Sequence, residues 1–234
     1  MTQVPNAHQN TTFPSNGGTA YGYLATPPSG SGPGLVVIQE WWGLTDHVAD
    51  VTDRFAKQGF VALAPDLYGG RTTHDAEEAA RLMRELPVDD AAKDLAGAVD
   101  FLRTNEAVTS ERIGAVGFCM GGKFVLVLAA QQGEKIGAAI PFYGLPDVDS
   151  TDFSGLRAPV LGHYATKDRG IDPAAVERMH AKLAEQAPTG IRSEIHFYPA
   201  EHAFFNDRNT ATYHADSAAL AWQRTLEFLR TELS

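Results

Sequence analysis

Only one cysteine, Cys119, stands among the 234 residues. It can close no disulfide within the chain and cannot build a cysteine-based zinc site, so neither a disulfide scaffold nor a zinc finger is possible. Positive charge is scarce too: 19 Lys and Arg against 29 Asp and Glu leave a net charge of −10. That field repels phosphate backbones and anionic membrane surfaces, and nucleic-acid binding is not expected. Long apolar runs are missing; the longest, 35–38 and 124–130, fall far short of the roughly 20 residues that span a bilayer. No basic start followed by an apolar block opens the sequence, so the expected location is cytoplasmic. The eight histidines include no H-E-x-x-H or similar spacing, and no G-x-G-x-x-G follows a strand pattern, so neither a metal nor a dinucleotide or other cofactor is expected.

What is present suits a globular domain, with 44% hydrophobic and 21% charged residues and no internal repeat. Residues 1–18 are polar and are expected to stand apart as a flexible segment, with 19–234 forming one domain. The first strand is expected to begin at Thr19, where Tyr21, Tyr23 and Ala25 alternate onto one face. Short apolar runs at 35–38, 60–64, 113–118, 137–142, 159–164 and 193–198 read as strands. Helical spacing separates them, as in Val48, Val51 and Phe55, and in Ala219, Trp222, Leu226, Leu229 and Leu233. Continuous apolar strands alternating with amphipathic helices predict an α/β fold, a mostly parallel sheet covered on both faces. The one irregular stretch, 199–212, holds His202, and loops of that length in compact domains tend to be functional.

Cys119 sits in Gly117-Phe118-Cys119-Met120-Gly121-Gly122, between the 113–118 strand and the apolar helical run 123–131. Strand, sharp turn and helix are the setting of a nucleophile elbow, in which small residues two before and two after the nucleophile let the chain turn tightly. The helix start also favours thiolate through its partial positive charge. In this architecture the nucleophile is followed along the chain by an acid and then a histidine, each on a loop after a later strand. Asp168 follows the 159–164 strand and His202 follows the 193–198 strand, at the strand ends where open α/β sheets place their sites. His202 would exchange the proton with the thiol while Asp168 fixes its tautomer. Asp172, directly before Pro173, looks instead like a helix N-cap. Glu40, straight after a fully apolar strand, is costly to bury without a functional reason.

With these residues in hand, the chain resembles the dienelactone hydrolase (carboxymethylenebutenolidase) family of small α/β-hydrolases without a large cap domain. The resemblance runs from about Thr19 to the carboxy terminus. It is carried by Gln39-Glu40-Trp41-Trp42-Gly43-Leu44, Ala64-Pro65-Asp66-Leu67-Tyr68, Gly117 to Gly122, Lys167-Asp168 and His202-Ala203-Phe204. It implies nucleophile Cys119, acid Asp168, base His202, and Glu40 as a carboxylate beside the thiol. The oxyanion hole would be the backbone N–H groups of Met120 and Trp41, with Trp42 and Phe204 walling the pocket. It further implies opening of a dienelactone-like enol lactone to a maleylacetate-type product during the breakdown of aromatic compounds.

The family's best-known members clamp the substrate carboxylate with two arginines, and the corresponding positions here are Ala76 and Asn206. Arg81, Arg71, Arg84 and Arg208 are the cations that could take over. Thiolate is a better leaving group than alkoxide, so a cysteine esterase favours an activated leaving oxygen such as an enolate. Carboxylesterase or thioesterase activity on uncharged activated esters is the alternative, followed by a non-catalytic lactone receptor and a redox sensor using Cys119. A small-molecule lactone or ester is the expected partner, and the chain is taken as a monomer.

Overall fold

The computed structural model describes residues 4–234. They divide into two compact units, one ending at Ile113 and one beginning at Gly114.

In the first unit, strands β1 (Thr11–Ser15), β2 (Gly18–Ala25), β3 (Gly34–Ile38) and β4 (Val61–Pro65) lie in the order β1-β2-β4-β3. β1 and β2 form an antiparallel hairpin turned by Asn16 and Gly17 at φ 49° and 73°, the left-handed pair that a two-residue turn between right-twisted strands demands. This hairpin corrects the expectation that 1–18 stands apart. Thr11 to Ser15 is a paired strand whose Phe13 is buried, while residues 1–3 lie outside the described residues. β2 runs antiparallel and β3 parallel to β4. Every residue of β3 and β4 is buried, as strands covered on both faces require. α1 (Asp46–Lys57) and α3 (Val88–Arg103) cover these strands, and α2 (Ala76–Glu85) lies between them in the chain. α1 buries Val48, Val51 and Phe55, the stripe read from the spacing.

The second unit is built on β5 (Ile113–Phe118), which it holds from Gly114 onward, β6 (Ile136–Phe142), β7 (Val160–Ala165) and β8 (Ser193–Tyr198), in that order. β6, β7 and β8 run parallel. α4 (Met120–Gln132) is largely apolar, buries most of its residues from Met120 to Ala129 and packs on β6. α5 (Pro173–Gln186) packs on β8, and α6 (Ala215–Glu232) on β6 and β7. The Asp172 carboxylate accepts from the Ala174 N–H at 3.0 Å ahead of Pro173, so this acid is the helix N-cap its sequence position suggests. His214 caps α6 in the same way, accepting from the Ser217 N–H at 3.3 Å. Leu226 and Leu229 of α6 and Leu233 at its C-cap are buried, but Ala219 is exposed and Trp222 only half-buried. The buried face instead runs through Ser217, Ala218, Ala221 and Thr225. Among the described residues no helix is long and apolar enough to cross a membrane.

Candidate active site

Cys119 leaves β5 with φ 55° and ψ −116°, a conformation that costs a non-glycine residue about 1–3 kcal/mol. Its surroundings hold it there. The Cys119 N–H donates to the Phe142 carbonyl at the end of β6, and the Cys119 carbonyl accepts from the Gly122 N–H, both at 3.0 Å. The flanking glycines are obligatory for space: a Cβ on Gly117 would collide with the Gly121 carbonyl oxygen, and one on Gly122 would meet the Phe142 oxygen at 2.6 Å. The thiol is partly exposed where α4 begins.

Asp168 lies in the turn after β7 with its side chain 1% exposed. One carboxylate oxygen, Oδ1, accepts from the Gly170 and Ile171 N–H groups at 2.8 and 3.1 Å. The other, Oδ2, is 2.6 Å from His202 Nδ1. Burial pushes the Asp168 carboxyl up, but the bond and charge of His202 and the two backbone donors outweigh it and hold it below its usual range. His202 also hydrogen-bonds Cys119. Burial works against its imidazolium, yet the hydrogen bonds and charges of Asp168 and Cys119 prevail, and the imidazole is pushed up to about 10. Asp168, His202 and Cys119 therefore lie in one line, with the ring between the carboxylate and the sulfur.

The loop after β8 keeps His202 in place through buried aromatics. Phe205 stacks on Phe118 at 5.2 Å between ring centroids, and Phe204 lies 5.0 Å from Tyr198. Phe204 is 0% exposed, so it is core and does not wall a pocket. Asn206 is also buried, and its side-chain oxygen accepts from the Arg208 N–H at 3.0 Å, so its carbonyl shapes the loop. The Arg208 side chain is 66% exposed, with Asp207 at 3.8 Å. Tyr143, which sequence reasoning missed, sets its ring edge-on to His202 at 5.2 Å. The available signal was Tyr143-Gly144 at the end of a strand: Tyr143 has φ 35°, and a Cβ on Gly144 would collide with the Cys119 carbonyl oxygen.

The remaining candidates belong to the first unit. Glu40, two residues beyond β3, is 2% exposed. Trp41 and Trp42 are half-buried with centroids 4.8 Å apart. The Arg81 guanidinium is bidentate to Glu78 at 2.8 and 2.6 Å and also bonds Glu85 at 2.8 and 2.6 Å.

Residues 20–233 match the model of the dienelactone hydrolase family. The chain belongs to the dienelactone hydrolase family. It is 33% identical over 233 residues to Protein usf of Aquifex pyrophilus, covering 97% of this chain and 99% of that one. It is 30% identical over 231 residues to a protein of Aquifex aeolicus named "Putative carboxymethylenebutenolidase", at 96% and 99% coverage. Among solved structures, a chain from Klebsiella pneumoniae described as a "Putative Dienelactone Hydrolase" superposes with a TM-score of 0.82 at 31% identity, over 94% of this chain and 96% of that one. As a member of this family the protein has the α/β-hydrolase fold and is an ester or lactone hydrolase.

Proposed function

We propose that this dienelactone hydrolase family member opens an enol lactone, or a comparably activated ester, by thiol catalysis through Cys119, His202 and Asp168. The observation that carries the reading is the line from Asp168 Oδ2, 2.6 Å from His202 Nδ1, through the ring to Cys119. The Cys119 thiolate attacks the lactone carbonyl carbon, and the tetrahedral intermediate collapses with cleavage of the ring C–O bond. His202 gives its proton to the departing enolate oxygen, and the enol tautomerises to a ketone. Water then attacks the thioester carbonyl, His202 takes the water's proton, and the thiolate leaves to restore the starting pair. The Asp168 carboxylate accepts from His202 Nδ1–H in both half-reactions and stabilises the imidazolium when it forms. The family resemblance adds the Met120 and Trp41 N–H groups as oxyanion donors and Glu40 as an activating carboxylate; burial of Glu40 favours a role for it.

A second reading is favoured by the arginines. Arg81 is spent on two glutamates and Arg208 points to solvent, which argues for an uncharged substrate and for a thiol carboxylesterase. Steady-state kcat/KM for a carboxylate-bearing dienelactone against its methyl ester separates the two. A preference for the acid supports the lactone reading, and a preference for the methyl ester supports the second. Cys119→Ala tests the mechanism under both: folded protein without turnover is expected, and persistent steady-state turnover overturns it.

A further inference from the structure

Neither half-reaction makes use of the buried polar chain formed by His163, Tyr198, Arg224 and Thr225. His163 is 0% exposed, with Nδ1 2.8 Å from the Tyr198 hydroxyl and Nε2 3.1 Å from Thr225 Oγ1. Arg224 donates to the Tyr198 oxygen at 3.1 Å. A guanidinium only donates, so Tyr198 directs its own proton to His163 Nδ1, and the ring proton sits on Nε2 facing Thr225. Burial first, then the charges of neighbouring His196 and Arg224, keep the His163 ring neutral. The chain thus has one direction, from Arg224 to Tyr198 to His163 to Thr225.

Its two central members touch the ends of β7 and β8, from which Asp168 and His202 project, and the end of β6, whose Phe142 carbonyl holds the Cys119 N–H. Tyr198 pairs with Ala165, the last residues of β8 and β7. The Tyr198 carbonyl accepts from the Thr166 N–H at 2.8 Å, the Thr166 hydroxyl at 3.2 Å and the Ala200 N–H at 2.8 Å. Asp168 lies two residues beyond Thr166, and His202 two beyond Ala200. The His163 carbonyl accepts from the Tyr143 N–H at 2.7 Å, and its ring lies 4.4 Å from that of Phe142, whose carbonyl holds the Cys119 N–H. Apolar side chains could fill the same space, but would fix neither the orientation of Tyr198 nor that of the imidazole.

We propose that His163 and Tyr198 are positioning residues for the triad, with Arg224 and Thr225 setting their orientation and the strand ends of β6, β7 and β8 transmitting it to Cys119, Asp168 and His202. The proposal rests on the thiol mechanism of Cys119, His202 and Asp168. Its test combines kcat and KM on an enol lactone with the pH profile of Cys119 alkylation by iodoacetamide, read by intact mass, in Tyr198→Phe and Thr225→Val. In Tyr198→Phe, kcat is expected to fall about tenfold with KM held within about twofold, since a slightly misplaced triad loses rate before binding. Alkylation at pH 7 is expected to slow about threefold, with its pH profile displaced from that of the wild type, as the placement of His202 against Cys119 loosens. Thr225→Val should move the same readouts in the same direction by less, and it decides the matter if Tyr198→Phe fails to fold. A lowered melting temperature with kcat and the alkylation profile unchanged overturns the proposal, leaving the chain as core packing. If the wild-type protein opens no lactone or ester, the thiol-hydrolase reading fails, while a shifted alkylation profile still supports the positioning role.

Discussion

Replacing Asp168 with asparagine keeps the side chain's shape and removes one charge, and the surrounding hydrogen bonds decide how the new amide sits. Gly170 and Ile171 point two N–H groups at Oδ1 from 2.8 and 3.1 Å, so the amide must place its oxygen there. Its NH2 group then faces His202 Nδ1, where the separation is 2.6 Å in the wild type. Two donors cannot face each other, and the ring must accept at Nδ1 and carry its proton on Nε2. A neutral ring in that tautomer can take a proton from neither thiol nor water. The expected loss in kcat/KM is about 10³- to 10⁴-fold, the size found when a catalytic triad holds its histidine in the wrong tautomer, or about 4–5.5 kcal/mol in the barrier. Asp168→Ala leaves room for water and lets the ring choose its tautomer, so it should lose less than the asparagine variant. Steady-state kinetics on an enol lactone, with thermal melts to verify folding, measure both. Retention of more than about a tenth of wild-type activity in folded Asp168→Asn, or a larger loss in Asp168→Ala, would refute the reasoning.

The His202 imidazole is pushed up to about 10 from an ordinary value near 6.5. Its contribution to stability is fully present below about pH 6.5 and is lost as pH rises through 10. The melting temperature should therefore fall between pH 7 and 10 in the wild type and fall less in His202→Gln; equal slopes would contradict the pairing. Glu40→Gln should slow Cys119 alkylation at neutral pH by about tenfold if the buried carboxylate helps form thiolate, and an unchanged rate assigns Glu40 to structure. Arg81→Ala should leave KM for a carboxylate-bearing lactone within about twofold of wild type, because Glu78 and Glu85 already occupy the guanidinium. A tenfold rise in KM would place Arg81 against substrate.

The features legible in the sequence are those fixed by local geometry. The elbow from Gly117 to Gly122 could be read because a strand-to-helix reversal needs small residues at set offsets, and its close contacts with the Gly121 and Phe142 carbonyls bear that out. Asp168 and His202 were read from their places just past strand ends, and the following Pro173 set the capping Asp172 apart from Asp168. The β1 hairpin was hidden by composition, since a polar edge strand needs to turn only Phe13 and Ser15 inward, although Asn16-Gly17 carried its turn signal. The environments of Phe204 and Asn206 depend on how a long loop folds onto distant aromatics, which spacing alone does not encode. Tyr143 and the His163–Tyr198 chain are likewise long-range. The pairing of Arg81 was within reach, because Glu78 and Glu85 sit three residues before and four after it on one helix.

The central claim is that Cys119 carries the acyl group between two half-reactions. Mixing the protein with a small excess of an enol lactone, quenching in acid within milliseconds to seconds and measuring intact mass tests it directly. The account predicts a transient species heavier by the mass of the ring-opened acyl group, localised to the Cys119 peptide, labile to hydroxylamine and absent in Cys119→Ala. Turnover without such a species, when slow thioester hydrolysis makes it observable, or an adduct on another residue, would contradict it.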